Sequence, residues 1–240
     1  MLLALACALT SGCFQSIGAR NRPSESAAIT QMRIAAERGD ATSQHELGVR
    51  YFTGDGVPQD FEQAASWIRT AADQGLATAE SDLGELYKIG LGVPIDYTQS
   101  MAWFRKAAER GDPVAQYNLG LAYRDAQGVP WNGSEALLWF RKAAKQGDRD
   151  AQYALASAYL NGQGVTADQA AAVEWFRKSA EQGSAVAQYM LGLQYAKGEG
   201  VLRDRVTALK WLDAAARNST RQRHQKFAAA RDAVATDTLR

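Results

Sequence analysis

Cysteine is almost missing from this chain of 240 residues. Cys7 and Cys13 are its two cysteines, both within the first thirteen positions. The remainder therefore has no disulfide framework available to it. Histidine is equally scarce. His45 and His224 lie far apart, so they cannot form a metal-ligand pair at helical spacing, and no cysteine lies near enough in sequence to help. Charge of one sign is also absent. Lys and Arg number 27 against 26 Asp and Glu, a net charge of +1, and this leaves no overall field to draw nucleic acid or an anionic membrane surface. Past the N-terminus, no stretch approaches the ~20 apolar residues of a membrane span. The chain contains no Ser-x-x-Lys and no G-x-S-x-G, so these two nucleophile motifs are missing. It has no Walker loop either. We therefore expect no catalytic residue, no metal ligand, no cofactor and no enzyme activity.

What the chain does have is a repeat of 36 residues. One apolar landmark is Leu47, Leu83, Leu119, Leu155 and Leu191. Four positions on stand Tyr51, Tyr87, Tyr123, Tyr159 and Tyr195. A second series is Trp67, Trp103, Trp139, Trp175 and Trp211. The phase survives five copies without insertion or deletion. Apolar residues recur every three to four positions, as in Tyr97, Met101, Phe104 and Ala108, which predicts two amphipathic helices per copy. Such a helix pair can cover its apolar side only against its neighbours, the situation of a solenoid. We expect one elongated unit.

The small residues punctuate each copy. Gly54/Gly56, Gly90/Gly92, Gly162/Gly164 and Gly198/Gly200 predict a tight turn with positive φ between the two helices. Copy three has Ala126 before Gly128, which implies either a negative φ at Ala126 or a strained turn. Gly48, Gly84, Gly120 and Gly192 follow the Leu, and Ala156 replaces them in copy four. That exchange implies a need for small size at a helix crossing. Asp60, Asp96, Asn132, Asp168 and Asp204 read as N-caps of the second helix, with Gln63, Gln99 and Glu135 placed as in a capping box. Gly39, Gly75, Gly111, Gly147 and Gly183 read as the C′ glycines that end it.

The pattern L-G-x-x-Y, G-x-G-V, D, A-x-x-W and A-A-x-x-G resembles the Sel-one-like repeat, a relative of the tetratricopeptide repeat. The resemblance covers roughly residues 28 to 219. It implies an all-α fold, an α/α superhelical solenoid, acting as a non-catalytic adaptor or scaffold for a protein or extended peptide. Some secreted relatives carry a cysteine pair in each repeat and are linked to β-lactam binding, and this chain lacks those pairs. Copies are expected at 41–76, 77–112, 113–148, 149–184 and 185–219, between a half-repeat cap at 27–40 and a capping helix at 220–240.

The N-terminus reads MLLALACALTSGC. Its short apolar run is expected to be a signal peptide, residues 1–12. Thr10-Ser11-Gly12-Cys13 resembles a bacterial lipobox, with Cys13 as the lipidated mature N-terminus and residues 13–26 as a polar tether. The expected location is the cell envelope, with membrane contact only through that anchor. Two other readings stay open: an envelope enzyme or binder of cell-wall or β-lactam-like ligands, and a cytosolic regulatory adaptor.

In tetratricopeptide-like arrays the first helices line the concave groove. Offset from Leu and Tyr, helical spacing selects His45 and Phe52 in copy one, and Glu85 and Lys88 in copy two. Copy three offers Tyr117, Leu121 and Arg124, copy four Tyr153 and Leu160, and copy five Tyr189 and Lys197. These positions vary while the landmarks repeat, which suits a surface reading a non-repetitive partner. Tyr117, Tyr153 and Tyr189 are either an aromatic ladder for that partner or wedges between helices. The basic column Arg69, Arg105/Lys106, Arg141/Lys142 and Arg177/Lys178 reads as a solvated outer face near helix C-termini, not a nucleic-acid stripe.

Overall fold

The computed structural model describes residues 26–236. Among the described residues there are twelve α-helices and no strand. Helix α1 (Ala27–Glu37) stands alone. Five pairs follow: α2 (Ala41–Thr53) with α3 (Phe61–Asp73), α4 (Ala77–Ile89) with α5 (Tyr97–Glu109), α6 (Pro113–Asp125) with α7 (Gly133–Lys145), α8 (Arg149–Asn161) with α9 (Gln169–Glu181), and α10 (Ala185–Lys197) with α11 (Arg205–Asn218). Helix α12 (Arg221–Ala235) closes the series. Cys7 and Cys13, with the expected signal peptide and nearly all of the tether, lie outside the described residues.

The contacts cluster into two compact units where a single unit was expected, and the division falls inside copy three. Unit one holds the described residues up to Leu119 together with Gln127–Pro130, and unit two holds Gly120–Ala126 and the chain from Trp131 on. The core of unit one joins Phe52, Ile68, Leu83, Leu86 and Trp103 through a bed of alanines. In unit two Phe176, Val173 and Leu191 are fully covered, with Tyr153 and Trp211 packed against them. Burying each such large side chain stabilises by roughly 1.5–3 kcal/mol. Helix α12 is held by Phe227, whose ring stacks on Tyr189 at 4.5 Å.

The helix ends follow local chemistry. The Asp60, Asp96, Asn132, Asp168 and Asp204 side chains each accept from a backbone N–H three residues on, at 2.9 to 3.1 Å. The expected capping box is only half formed. The cap residue's own N–H is taken by a first-helix carbonyl, Asp60 to Tyr51 and Asp96 to Tyr87 at 2.9 Å, so it is not free for the residue three later. That bond also ties the start of the second helix to the last turn of the first.

Small size is the requirement where helices cross. A Cβ on Gly48 would lie 2.6 Å from Ile68 Cγ1, and one on Gly192 would lie 2.7 Å from Leu212 Cγ, and neither glycine has positive φ. At the turn, Ala126 has a φ of +55°, the one positive-φ residue other than glycine among the described residues. The strained alternative is therefore the one realised. The second turn glycine has a further duty. A Cβ on Gly92 would collide with the Phe61 carbonyl, one on Gly128 with that of Tyr97, and one on Gly164 with that of Gly133. Each turn thus seats its glycine on the start of the preceding pair's second helix.

The first helices have caps of their own. Asp40 accepts from the Ser43 N–H at 2.7 Å and Asp148 from the Ala151 N–H at 2.7 Å. Their surroundings differ in sign. Hydrogen bonds from Ser43 hold the Asp40 carboxyl below its ordinary range. Burial pushes Asp148 up, and the neighbouring Asp150 adds to this. A carboxyl whose folded pKa is raised weakens the fold at neutral pH and recovers as it takes up its proton. We expect Asp148→Ser, which copies Ser184 of the next repeat, to raise Tm at pH 7. That gain over the natural chain should shrink as the pH falls toward ~4, the ordinary aspartate range. Thermal melts at several pH values check both the sign and the trend.

Candidate partner-binding surface on the first helices

The first-helix side chains are more committed than their spacing suggests. In unit one His45 Nε2 lies 2.7 Å from Asp82 Oδ2, joining copies one and two. Lys88 Nζ donates to Glu85 Oε2 at 3.0 Å and to Asn118 Oδ1 at 3.1 Å, joining copies two and three. Glu85 is buried, while His45 and Lys88 keep partial exposure. Phe52 does not belong to a surface. It is 1% exposed, with its ring edge-on to Phe61 at 5.3 Å between centroids. Its wheel position faces the paired second helix, which is why the offset rule misplaced it.

Tyr117 is half-buried in unit one. In unit two Tyr153 lies 5.7 Å from Phe176 and Tyr189 stacks on Phe227, so both rings wedge between helices and are half-buried. Leu121 and Leu160 are half-buried, and Leu160 packs on the core of unit two. Arg124 forms a two-pronged pair with the adjacent Asp125 at 2.7 Å for both bonds. Lys197 is exposed, 3.8 Å from Glu199. The surface is thus a mosaic of hydrogen-bonding and apolar edges. No group of three or more His, Cys, Asp or Glu among the described residues could hold a metal ion. No helix among them is long and apolar enough to cross a membrane.

The basic column has a more specific role than a solvated face. Arg69 donates to the Tyr87 hydroxyl at 2.6 Å, Arg141 to Tyr159 at 2.9 Å and Arg177 to Tyr195 at 2.9 Å. Each bond ties a second helix to the next first helix. The lysine one step further lies over the preceding Trp: Lys106 on Trp103 at 3.7 Å, Lys142 on Trp139 at 3.8 Å and Lys178 on Trp175 at 4.1 Å. Such cation–π contacts add ~0.5–2 kcal/mol each.

Sequence reading missed a second polar ladder. Gln44, Gln116, Gln152 and Gln188 are buried, and each donates to the carbonyl eight residues earlier. His224 continues the series with Nδ1 2.9 Å from the Ala216 carbonyl. Gln74 and Gln182 reach Gln44 and Gln152 at 2.6 and 2.8 Å. The signal was present as a fifth column at the same 36-residue period, a glutamine broken once by Glu80.

Helix pairs joined by glycine turns and tied by side-chain ladders to the next pair define the α/α solenoid class. Residues 41–76, 77–112, 113–148, 149–184 and 185–219 match the Sel1 repeat, and the chain belongs to the Sel1 repeat family. Proteins of this family are generally protein-interaction scaffolds. The chain is 43% identical to a protective antigen of uropathogenic Escherichia coli strains with an SLR fold, at a TM-score of 0.76 over 78% of this chain and 40% of that one. It is 33% identical to a Sel1 repeat protein from Oxalobacter formigenes, at a TM-score of 0.76 over 85% of this chain and 59% of that one. The chain therefore spans about two fifths and three fifths of the length of these two structures. Comparison with curated proteins gives no match.

Proposed function

We propose that this chain is a non-catalytic interaction scaffold of the bacterial cell envelope, anchored by a lipid on Cys13, which holds a protein or extended peptide along its first helices. The observation that carries the reading is the contrast between frame and face. The Leu, Trp and glycine positions repeat to serve packing, whereas one first-helix position reads Val49, Glu85, Leu121, Ser157 and Leu193 through the five copies, apolar, acidic and hydroxyl in turn, and all but Glu85 remain partly accessible. A surface that varies within a fixed frame suits a partner that does not repeat. The kinship with a protective antigen is compatible with an exported array.

The test is a photo-reactive phenylalanine analogue placed in living cells at Leu121 or Leu193, with Glu174 on an exposed second-helix position as control. We expect a discrete cross-linked protein from the first-helix positions and none from Glu174. Equal labelling at all three would overturn the binding surface. Intact mass of membrane-fraction protein tests the anchor separately: retention of Met1 removes it.

A further inference from the structure

Copy three departs from the repeat at one turn. Ala126 holds a φ of +55° where the other copies have glycine, a conformation unfavourable for an L side chain. Trp131 follows and is 66% exposed. Copies one and five put Gln59 and Arg203 at that position, and both fold back onto a first-helix carbonyl, Gln59 to Phe52 at 2.8 Å and Arg203 to Ala196 at 3.0 Å. Trp131 lies instead against Gly133, where a Cβ would stand 3.2 Å from its Cζ2. The corresponding residues are Phe61, Tyr97, Gln169 and Arg205. The glycine thus leaves room for the indole over the first turn of α7. Copy two has Ile95 at the tryptophan's position, 60% exposed, so an outward apolar residue occurs in two copies and an indole in one.

Beside the indole is a cavity of about 250 Å³, with Leu137, Phe140 and Ala158 in its floor and Gln163 at its edge. Arg124 and Asp125 form its rim, and their mutual pairing leaves that rim electrically neutral. The volume is below the ~300–1,000 Å³ of cofactor and small-molecule sites. A charged group entering would lose water and meet no net opposite charge. An apolar side chain would meet an aromatic face and an apolar floor, the setting of an interface anchor.

We infer that this turn is a socket for a single large apolar side chain, Leu, Ile or Phe, projecting from a partner protein. The inference rests on the scaffold reading above and adds to it a site on the turn edge, which meets the first-helix face at Arg124. Its test uses random dodecapeptides displayed on phage and panned on the full chain, followed by anisotropy titrations of the selected peptides made synthetically. Selected peptides should share a large apolar residue. They should bind Trp131→Ala at least tenfold more weakly and Trp131→Phe less than threefold more weakly, with circular dichroism confirming that both variants are folded. The indole N–H resonance missing from the spectrum of Trp131→Phe should shift on titration of the natural chain. Peptides that share a charged residue instead, or that bind Trp131→Ala as well as the natural chain, overturn the socket. If those peptides are weakened by Leu193→Glu, the first-helix reading stands without it. If no peptide binds, both readings fall.

Discussion

Gly164→Ala should cost the fold about 3 kcal/mol, while Gly183→Ala should cost only ~1 kcal/mol. Both glycines have positive φ, +73° and +84°. Placing an L side chain in that region costs roughly 1–2 kcal/mol wherever it occurs. The difference lies in what the new Cβ meets. At Gly183 there is nothing within 4 Å, whereas at Gly164 the Cβ would collide with the Gly133 carbonyl at the start of α7. Backbone cannot swing aside as a side-chain tip can, and overpacking of this kind adds ~1–3 kcal/mol. Urea unfolding of the two variants gives the comparison directly, provided the slope with denaturant is unchanged. Equal losses would show that turn-to-helix seating contributes nothing. Ala126→Gly is the converse case and should gain ~1 kcal/mol by releasing the strained φ. If the Trp131 socket depends on that strain, binding should weaken as stability rises.

The second large effect is expected at Glu80, the one acidic member of the buried glutamine ladder. It is 1% exposed, and Arg110 Nε donates to its two oxygens at 3.3 and 3.2 Å. Arg110 stands 30 residues on, the place that Gln74 and Gln182 hold relative to Gln44 and Gln152. Copy two therefore exchanges an amide–amide pair for an ion pair, both members at once. Arg110→Ala would leave a buried carboxylate without its cation. Breaking a buried pair costs ~3–5 kcal/mol. Because Arg110 is itself half exposed, solvent screening brings the expected loss below that range, to about 2–3 kcal/mol. The double variant Glu80→Gln with Arg110→Gln rebuilds the arrangement of copies one and four and should return to within ~1 kcal/mol of the natural chain. A double-mutant cycle by denaturant unfolding reads this coupling. Additive losses would mean that the two side chains do not act as a pair.

How legible the structure was depended on repetition. The helix pairs, their caps and their closing glycines could be read because five copies state each position five times. Leu47 and Trp103 could hardly be assigned wrongly when their counterparts recur in phase. The partner-facing residues were harder, for a geometric reason. A first helix here is pressed from several sides, so one turn of its surface serves the paired helix and the next turn serves the neighbouring copy. Phe52, Tyr153 and Tyr189 are offset from the core Leu by the expected angle, yet each meets another aromatic ring. A helical wheel registers the offset and not what stands opposite it. The capping box failed for a similar reason, since the Asp60 N–H had a tertiary partner in Tyr51 that spacing within one helix cannot reveal. Trp131 escaped because it occurs once, and a feature present in a single copy leaves no period to detect. The glutamine ladder did leave one, and could have been found by asking which polar residues recur as faithfully as the leucines.

The central claim is that, within each unit, a helix pair is held by its neighbours through contacts that recur at the 36-residue period. Deleting residues 149–184 from the full chain tests this most directly. The deletion joins Asp148, a first-helix cap, to Ala185, the first residue of α10, in unbroken register. Far-ultraviolet circular dichroism should then give the same helicity per residue as the natural chain, with a cooperative melt. Loss of helicity beyond the residues removed would contradict the account, because it would mean that the copies depend on one particular global arrangement.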